Sequence, residues 1–252
     1  MANKEALYKY SISLADDALI LGHRLSEWCS NGPVLEEDLA LTNIALDMIG
    51  RANALLNYAA ELKGDKSTAD DIAYRRSERE YYNHLLVEQA NGDFAYTMAR
   101  QLFISVFELY FYEALQQSRD TTLAAIAAKT LKEVKYHVRH AADWVIRLGD
   151  GTDESHKRMQ HAINELWMYT GELFEIDHTE DLLLHEGLAV DLATIKAPWH
   201  NHIKKILSEA TLNTPENSYM QTGGLKGIHT EQLGHILSEM QYLQRAYPDA
   251  KW

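Results

Sequence analysis

Two short patterns bring this 252-residue chain nearest to metal chemistry: Glu133-x-x-Tyr136, with His137 directly behind it, and Asp47-x-x-Gly50. Residues three apart on an α-helix face the same way, so a carboxylate and an imidazole at that spacing converge on one ion. Helical bundles that hold two metals take a carboxylate from each of two helices and a Glu-x-x-His from each of the other two. Here glycine, which has no ligand atom, and tyrosine stand where the histidines would be. His137 comes one position late, rotated by ~100° from the expected direction. Glu133 and His137 do share a face at i and i+4, so a single metal held by Asp47, Glu133 and His137 is the sharper reading. A satisfied hydrogen-bond network of buried carboxylate, tyrosine and histidine is the plainer one, and it is favoured. Asp16, Asp17, Glu108 and Glu113 are carboxylates without an assignment, as readily exposed as paired.

The remaining candidates are weaker. Among twelve histidines, His178, His185, His200 and His202 fall in short helices and connections, where solvated or capping roles are expected. His229, Glu231 and His235 invite a metal, but an i, i+2, i+6 spacing around a helix start favours capping and surface exposure. The run TGGLKG at 222–227 could bring backbone amides and Lys226 to a phosphate. It lacks the glycine spacing and the Lys-Ser/Thr of a Walker loop, so a plain flexible loop is expected. Cys29 has no activating neighbour and is expected to be buried packing. No nucleophilic triad is evident.

Composition limits the partners. Hydrophobic residues make up 46% and charged residues 24% of the chain, the balance of a globular protein. The 24 basic and 37 acidic residues give 24 − 37 = −13, which disfavours phosphate backbones and anionic lipid. A lone cysteine cannot form an internal disulfide and suits a reducing compartment. The start MANKEALYKY lacks the basic-then-apolar pattern of a signal peptide, and no window reaches ~18 uninterrupted apolar residues. A cytoplasmic location is expected, with neither nucleic acid nor membrane as partner.

The elements that must position these residues are helices. Four prolines in the whole chain leave long stretches free of helix breakers. Leu7, Leu14, Leu21 and Trp28 mark a first helix to about Cys29. Asn31 to Pro33 turn the chain, and the acidic Glu36, Glu37 and Asp38 begin a second helix, Leu35 to about Leu62, with Gly64 as its cap. Residues 65–92 read as a charged connector with one or two helical turns. A third helix from Phe94 is apolar nearly all round. A fourth, after Asp120, carries the stripe Leu123, Ala127, Thr130, Val134, His137, Ala141, Trp144 and Leu148. Ser155 is the cap expected for a fifth helix reaching Phe174. A short sixth covers Glu180 to Glu186, a seventh begins near Pro198, and a last helix starts at Thr230. Four helices of about 25 residues with a long second connection predict an all-α, ferritin-like four-helix bundle. The expected layout is one domain over 1–252, a core bundle at about 6–150 with C-terminal helices 155–247 packed on it.

Five stretches of the chain carry a resemblance. LILGHRLSEWC, DLALTNIALDMIGRA, LLVEQANGDFAYTMARQ, EVKYHVRHAADWVIRLGDGTD and TGGLKGIHTEQLGHILSEMQYLQR closely resemble the C-subunit family of the bacterial 1,2-phenylacetyl-CoA epoxidases, from Leu14 to Trp252. The resemblance implies a non-catalytic, ferritin-like subunit that binds and stabilises a catalytic A subunit. It also implies that this A subunit holds the di-iron centre and that a separate reductase carries flavin and iron–sulfur groups. The complex so implied makes a ring 1,2-epoxide of phenylacetyl-CoA with O2 and NADPH in phenylacetate catabolism. No catalytic, metal or cofactor-binding residue carries over, because that chemistry lies on other chains. A homodimer of the chain alone is an alternative assembly. The almost wholly apolar third helix and the aromatic fifth are the candidate partner faces, of which an obligate pairing would bury more than ~2,000 Å², with burial inside the chain at least as much expected for the third. Two other function classes stand beside this one: a metal-binding oxidoreductase using Asp47, Glu133 and His137, and a free-standing acyl-CoA-binding protein gripping phosphate through TGGLKG.

Overall fold

The structure, a computed structural model, describes residues 4–216, 219–248 and 250. Eleven α-helices are found among them: α1 Lys4–Ser26, α2 Leu35–Lys63, α3 Ala69–Tyr74, α4 Leu85–Glu88, α5 Phe94–Leu115, α6 Thr121–Gly149, α7 Asp153–Trp167, α8 His178–His185, α9 Leu192–Glu209, α10 Glu231–Met240 and α11 Tyr242–Ala246. Short 3-10 turns lie at Glu78–Glu80, Gly171–Phe174 and Gly224–Lys226. The chain is all-α, consistent with the ferritin-like helical bundle expected. Among the described residues no helix is long and apolar enough to cross a membrane.

Local chemistry sets the helix ends. Asp93 and Asp120 start α5 and α6 by accepting the amides of Tyr96 and Leu123 at 2.9 and 2.8 Å, which satisfies donors that the helix itself leaves open. Gly64 ends α2 in the left-handed region at φ 71°, where glycine meets no Cβ clash. Three expected boundaries move. Thr152, not Ser155, caps α7, and Ser155 sits three residues on and closes a reciprocal box with it. Pro198 lies inside α9, whose cap is Asp191, so the helix begins a turn and a half earlier than the proline suggests. α1 stops at Ser26, leaving Trp28 and Cys29 in the following turn. Cys29 is therefore exposed rather than buried packing.

The helices fall into two compact units, each assembled from separated stretches of chain. The first comprises Met1–Ala90, Asp177–Leu183 and Gly223–Trp252. In it α1 packs along α2, while α4 and α10 pack on α1. The second comprises Asn91–Ile176 and Leu184–Thr222. There α5 is the centre, covered by α6, α7 and α9, as its apolar circumference requires. Phe103 of α5, Trp167 of α7 and Trp199 of α9 meet at ring distances of 5.6 to 6.1 Å. Trp199 is fully buried and donates its indole N–H to the Phe103 carbonyl at 3.0 Å. The stripe expected on α6 is buried from Leu123 through Ala141.

The segment 65–92 carries short helical turns at Ala69–Tyr74, Glu78–Glu80 and Leu85–Glu88, but its second half is more than a charged connector: Tyr81, Asn83, Leu86, Val87 and Glu88 are fully buried. Its charges misled because they are concentrated before Tyr81, whereas YYNHLLV carries the apolar surface that must be covered.

Replacing Trp199 with alanine removes the keystone of the second unit's aromatic cluster. A loss of ~3–5 kcal/mol is expected, read as a lowered midpoint in urea unfolding of the intact chain.

Candidate functional site

Taken helix by helix, the candidate metal ligands do not share an inward face. Asp47 is half-buried on α2 and Gly50 is exposed, so the row Asn43, Asp47, Gly50 and Asn57 runs along the outward side of that helix. On α6, Tyr136 is exposed, Glu133 is half-buried 3.7 Å from Lys129, and His137 is fully buried. The inward register on α6 is thus that of Thr130, Val134 and His137, not that of Glu133 and Tyr136. Among the described residues no three His, Cys, Asp or Glu side chains gather as a metal ion requires. With a glycine and an outward tyrosine at the histidine places, these residues do not fit a di-iron centre. Glu231 and His235 are exposed, as are Glu113, His185 and His200, whereas Glu108 is buried. His202 faces the Tyr110 hydroxyl at 3.2 Å. The side chain of His178 lies outside the described part of the structure.

The ionisable groups that converge are different ones, and all belong to the first unit. α1 supplies Asp16 and Asp17, both buried. Asp16 takes a two-pronged guanidinium from Arg76, with Nη1 to Oδ2 at 2.9 Å, and the amide of Tyr82 at 3.0 Å. Asp17 accepts the amide of His84 at 2.8 Å and faces its Nδ1 at 2.7 Å. The stretch 81–84 is buried except for the half-buried Tyr82, lies outside any helix and has no strand to pair with, so its amides need other acceptors. The two aspartates provide them. Burial alone would lower the Arg76 pKa, but the Asp16 carboxylate outweighs burial and holds it above the ordinary arginine value.

Glu88, at the end of α4 and wholly out of solvent, organises the rest. Its carboxylate accepts from Asn83 Nδ2 at 2.9 Å, and from the Thr230 amide and hydroxyl at 2.7 Å each. It faces His229 Nδ1 at 2.8 Å, while His229 Nε2 faces the Tyr81 carbonyl at 2.9 Å. Both ring nitrogens meet acceptors, an arrangement that only the doubly protonated imidazolium satisfies. Burial opposes that charge, yet the Glu88 carboxylate and the Tyr81 carbonyl prevail and raise the His229 pKa. Arg24 of α1 adds two donors to the Glu88 carbonyl, at 3.0 and 2.9 Å. His229 is therefore not a surface or capping histidine, and Thr230 turns its side chain to Glu88 instead of to the start of α10.

The same packing explains TGGLKG. A Cβ on Gly224 would lie 2.1 Å from the Asn83 carbonyl oxygen, and one on Gly227 would lie 2.3 Å from that of Arg79. The glycines let this run press backbone to backbone on 79–85, so it is not a flexible loop. The amides of Lys226, Gly227 and Ile228 are bonded to the carbonyls of Gly223, Gly224 and Gly223, and a phosphate would have to break those bonds. A groove of about 500 Å³ in the same unit is lined by Lys9, Lys63 and Arg76. These cations are matched by Asp177, Asp65 and Asp16.

Sequence reasoning missed Arg24, Arg76, Asn83, His84 and Glu88, and left Asp16 and Asp17 unassigned. One signal was present: Glu88 closes the apolar run LLVE, and an acid in such a run is either solvent-facing or paired.

What faces outward on α2 is also unusual. Leu35, Leu39 and Leu46 are 71%, 55% and 63% exposed. Every exposed position from Leu39 to Asn57 is uncharged: Leu39, Asn43, Leu46, Gly50, Asn53, Ala54 and Asn57. Among the described residues, no atom outside the adjoining turns of α2 lies within 4 Å of where a Gly50 Cβ would stand, so no neighbouring element uses the missing side chain. A glycine in a helix interior is nevertheless ~1 kcal/mol worse than alanine. The candidate partner faces expected on α5 and α7 are buried instead within the second unit.

Three outcomes are expected. Glu88→Gln leaves His229 without its counter-charge and lowers stability by ~3–5 kcal/mol in urea unfolding, the usual result of breaking a buried pair. Because the His229 pKa is raised in the folded state, its contribution is complete below the ordinary value of 6.5 and is lost as pH climbs through the raised one. The stability gap between the parent and His229→Gln should therefore shrink from ~1.5–3 kcal/mol near about pH 6 toward zero at alkaline pH. Gly50→Ala should stabilise the isolated chain by ~1 kcal/mol, read from its thermal midpoint.

Comparison with known proteins agrees with these sequence and structural features. A family model described as phenylacetic acid catabolic protein matches residues 1–252. The C subunit of the 1,2-phenylacetyl-CoA epoxidase of Escherichia coli (strain K12) is 50% identical over 246 residues, which is 98% of this chain and 99% of that protein. With a family match over its whole length and a relative half-identical from end to end, the chain belongs to the phenylacetic acid catabolic protein family.

Proposed function

We propose that the chain is the C subunit of a multicomponent epoxidase acting on phenylacetyl-CoA, and that it contributes structure, not chemistry, to the ring epoxidation. One observation carries this reading: half of its residues are shared with a protein named as that subunit, over 99% of that protein's length. In this reading it binds and braces a catalytic A subunit in the cytoplasm. The A subunit holds the di-iron group, and a reductase with flavin and iron–sulfur groups delivers the electrons of NADPH. A metal ligand set works only if it is held to within ~0.5 Å by a rigid surround, which gives a silent partner a physical purpose. The network around Asp16, Asp17 and Glu88 supports the reading, since buried carboxylates each held by several donors favour a stiff body over a reactive site.

The test is reconstitution. The A subunit and reductase of the same organism are assayed for NADPH oxidation that depends on phenylacetyl-CoA and O2, with and without this chain. Turnover, or the thermal stability of the A subunit, should rise when the chain is added, and the chain with reductase alone should give no turnover. Equal turnover and equal stability in its absence would overturn the proposal, as would phenylacetyl-CoA-dependent NADPH oxidation by the chain and reductase alone.

A further inference from the structure

We infer that the outward face of α2, from Leu35 to Asn57, is where the A subunit lays one of its helices against this chain, crossing closest at Gly50. The inference rests on the proposed role as a bracing subunit and names the surface through which the bracing is done.

Three independent features of α2 lead to it. The first is apolar exposure, with three leucines on one side of the helix more than half open to solvent. Single exposed leucines are ordinary, but a row of them along one helix marks an interaction surface. The second is the scarcity of charge, the half-buried Asp47 being the one ionisable side chain of the outward row. The protein is about one-quarter charged residues, yet seven consecutive exposed positions along α2, spanning ~27 Å at 1.5 Å per residue, carry none. Solvated helix faces are normally the most charged part of a domain. The third is Gly50. It sits in the middle of a 29-residue helix and weakens that helix, and no described group from another element approaches it. A glycine at such a place lets another backbone come close.

The charge pattern selects the occupant. The uncharged stretch follows the acidic turn Glu36, Glu37 and Asp38, and ends before Glu61. A second copy of this chain fits poorly. An antiparallel pair crossing at Gly50 would set Leu39 against Glu61 and Leu35 against Asp65, and a parallel pair would bring two acidic first turns together. The surface suits a heterologous helix that is uncharged over about five turns, with apolar residues facing the Leu39–Leu46 half, side-chain amides or hydroxyls facing the Asn53–Asn57 half, and basic residues where it passes Glu36 to Asp38. Association of this kind is dominated by a few well-packed anchors, here Leu39 and Leu46 beside the close approach at Gly50.

The experiment measures binding of the purified A subunit of the same organism to full-length chains by calorimetry, with thermal melts of each chain alone. Gly50→Leu should melt no lower than the parent and bind the A subunit at least ~10-fold more weakly. A second variant, Leu39→Glu with Leu46→Glu, changes only exposed positions and should bind more weakly still. Ala128→Leu, a bulky change at an exposed position of α6, should bind as the parent does. If the parent binds and both α2 variants bind equally well, the surface is wrong while the bracing role stands. If the parent itself does not bind the A subunit, both the surface and the role fall. Cross-linking of two parent chains through α2 would overturn the choice of occupant in favour of a second copy.

Discussion

The ion pair between Glu88 and His229 is the interaction on which the first unit depends. A carboxylate removed from water is costly unless donors surround it, and Glu88 finds donors on Asn83, His229 and Thr230, which are up to 142 residues away in the chain. Satisfying that one group fixes where residues 223–232 must lie and which way α10 leaves them. It also ties the last stretch of the chain to the stretch before α5. Asp16 and Asp17 do the same for Arg76 and for residues 81–84, an extended stretch with no sheet to join. A set of charges thereby specifies one arrangement of backbone where apolar packing alone would tolerate several, because a shift of one residue would strand a buried charge.

The elements legible in the sequence were those whose signal is periodic. α2, α5 and α6 were found close to their true ends because their apolar stripes, acidic starts and caps lie within the helix itself. The fold class followed from them. The ionic network was not legible, since its partners are brought together by tertiary packing and no local spacing joins Glu88 to His229 or Asp16 to Arg76. The histidine rule failed in an instructive way: His229 beside the Thr230 start of α10 has the local look of a solvated cap, and only the distant Glu88 makes it a buried cation. TGGLKG misled for a related reason. Its glycines fit a loop, a phosphate grip or a close backbone contact equally well, and the choice among them lies in residues 79–85. The Asp47 and Gly50 pattern was noticed for its spacing, while its meaning lies in exposure, which periodicity on an amphipathic helix only partly encodes.

These features separate two uses of polar residues in one chain. Inside the first unit, charge is paired and out of solvent, and it sets position. At the exposed positions of α2 from Leu39 to Asn57, charge is missing where solvent would favour it. The interior pattern describes a stiff body and the exterior pattern a surface made to be covered. The proposed role as one subunit of an epoxidase would give both patterns a common purpose, with rigidity and cover contributed by one chain and reactivity by another.

We propose that this chain brings no reactive metal of its own, since Gly50 and an exposed Tyr136 stand where the histidines of a metal-binding pattern would be. The most direct test is the iron content of the chain purified alone from iron-supplemented cells, measured by elemental analysis per polypeptide. Iron well below stoichiometric is the result the account predicts. One or two equivalents, lost on Glu133→Ala, would mean that Asp47, Glu133 and His137 do assemble a site and would contradict it.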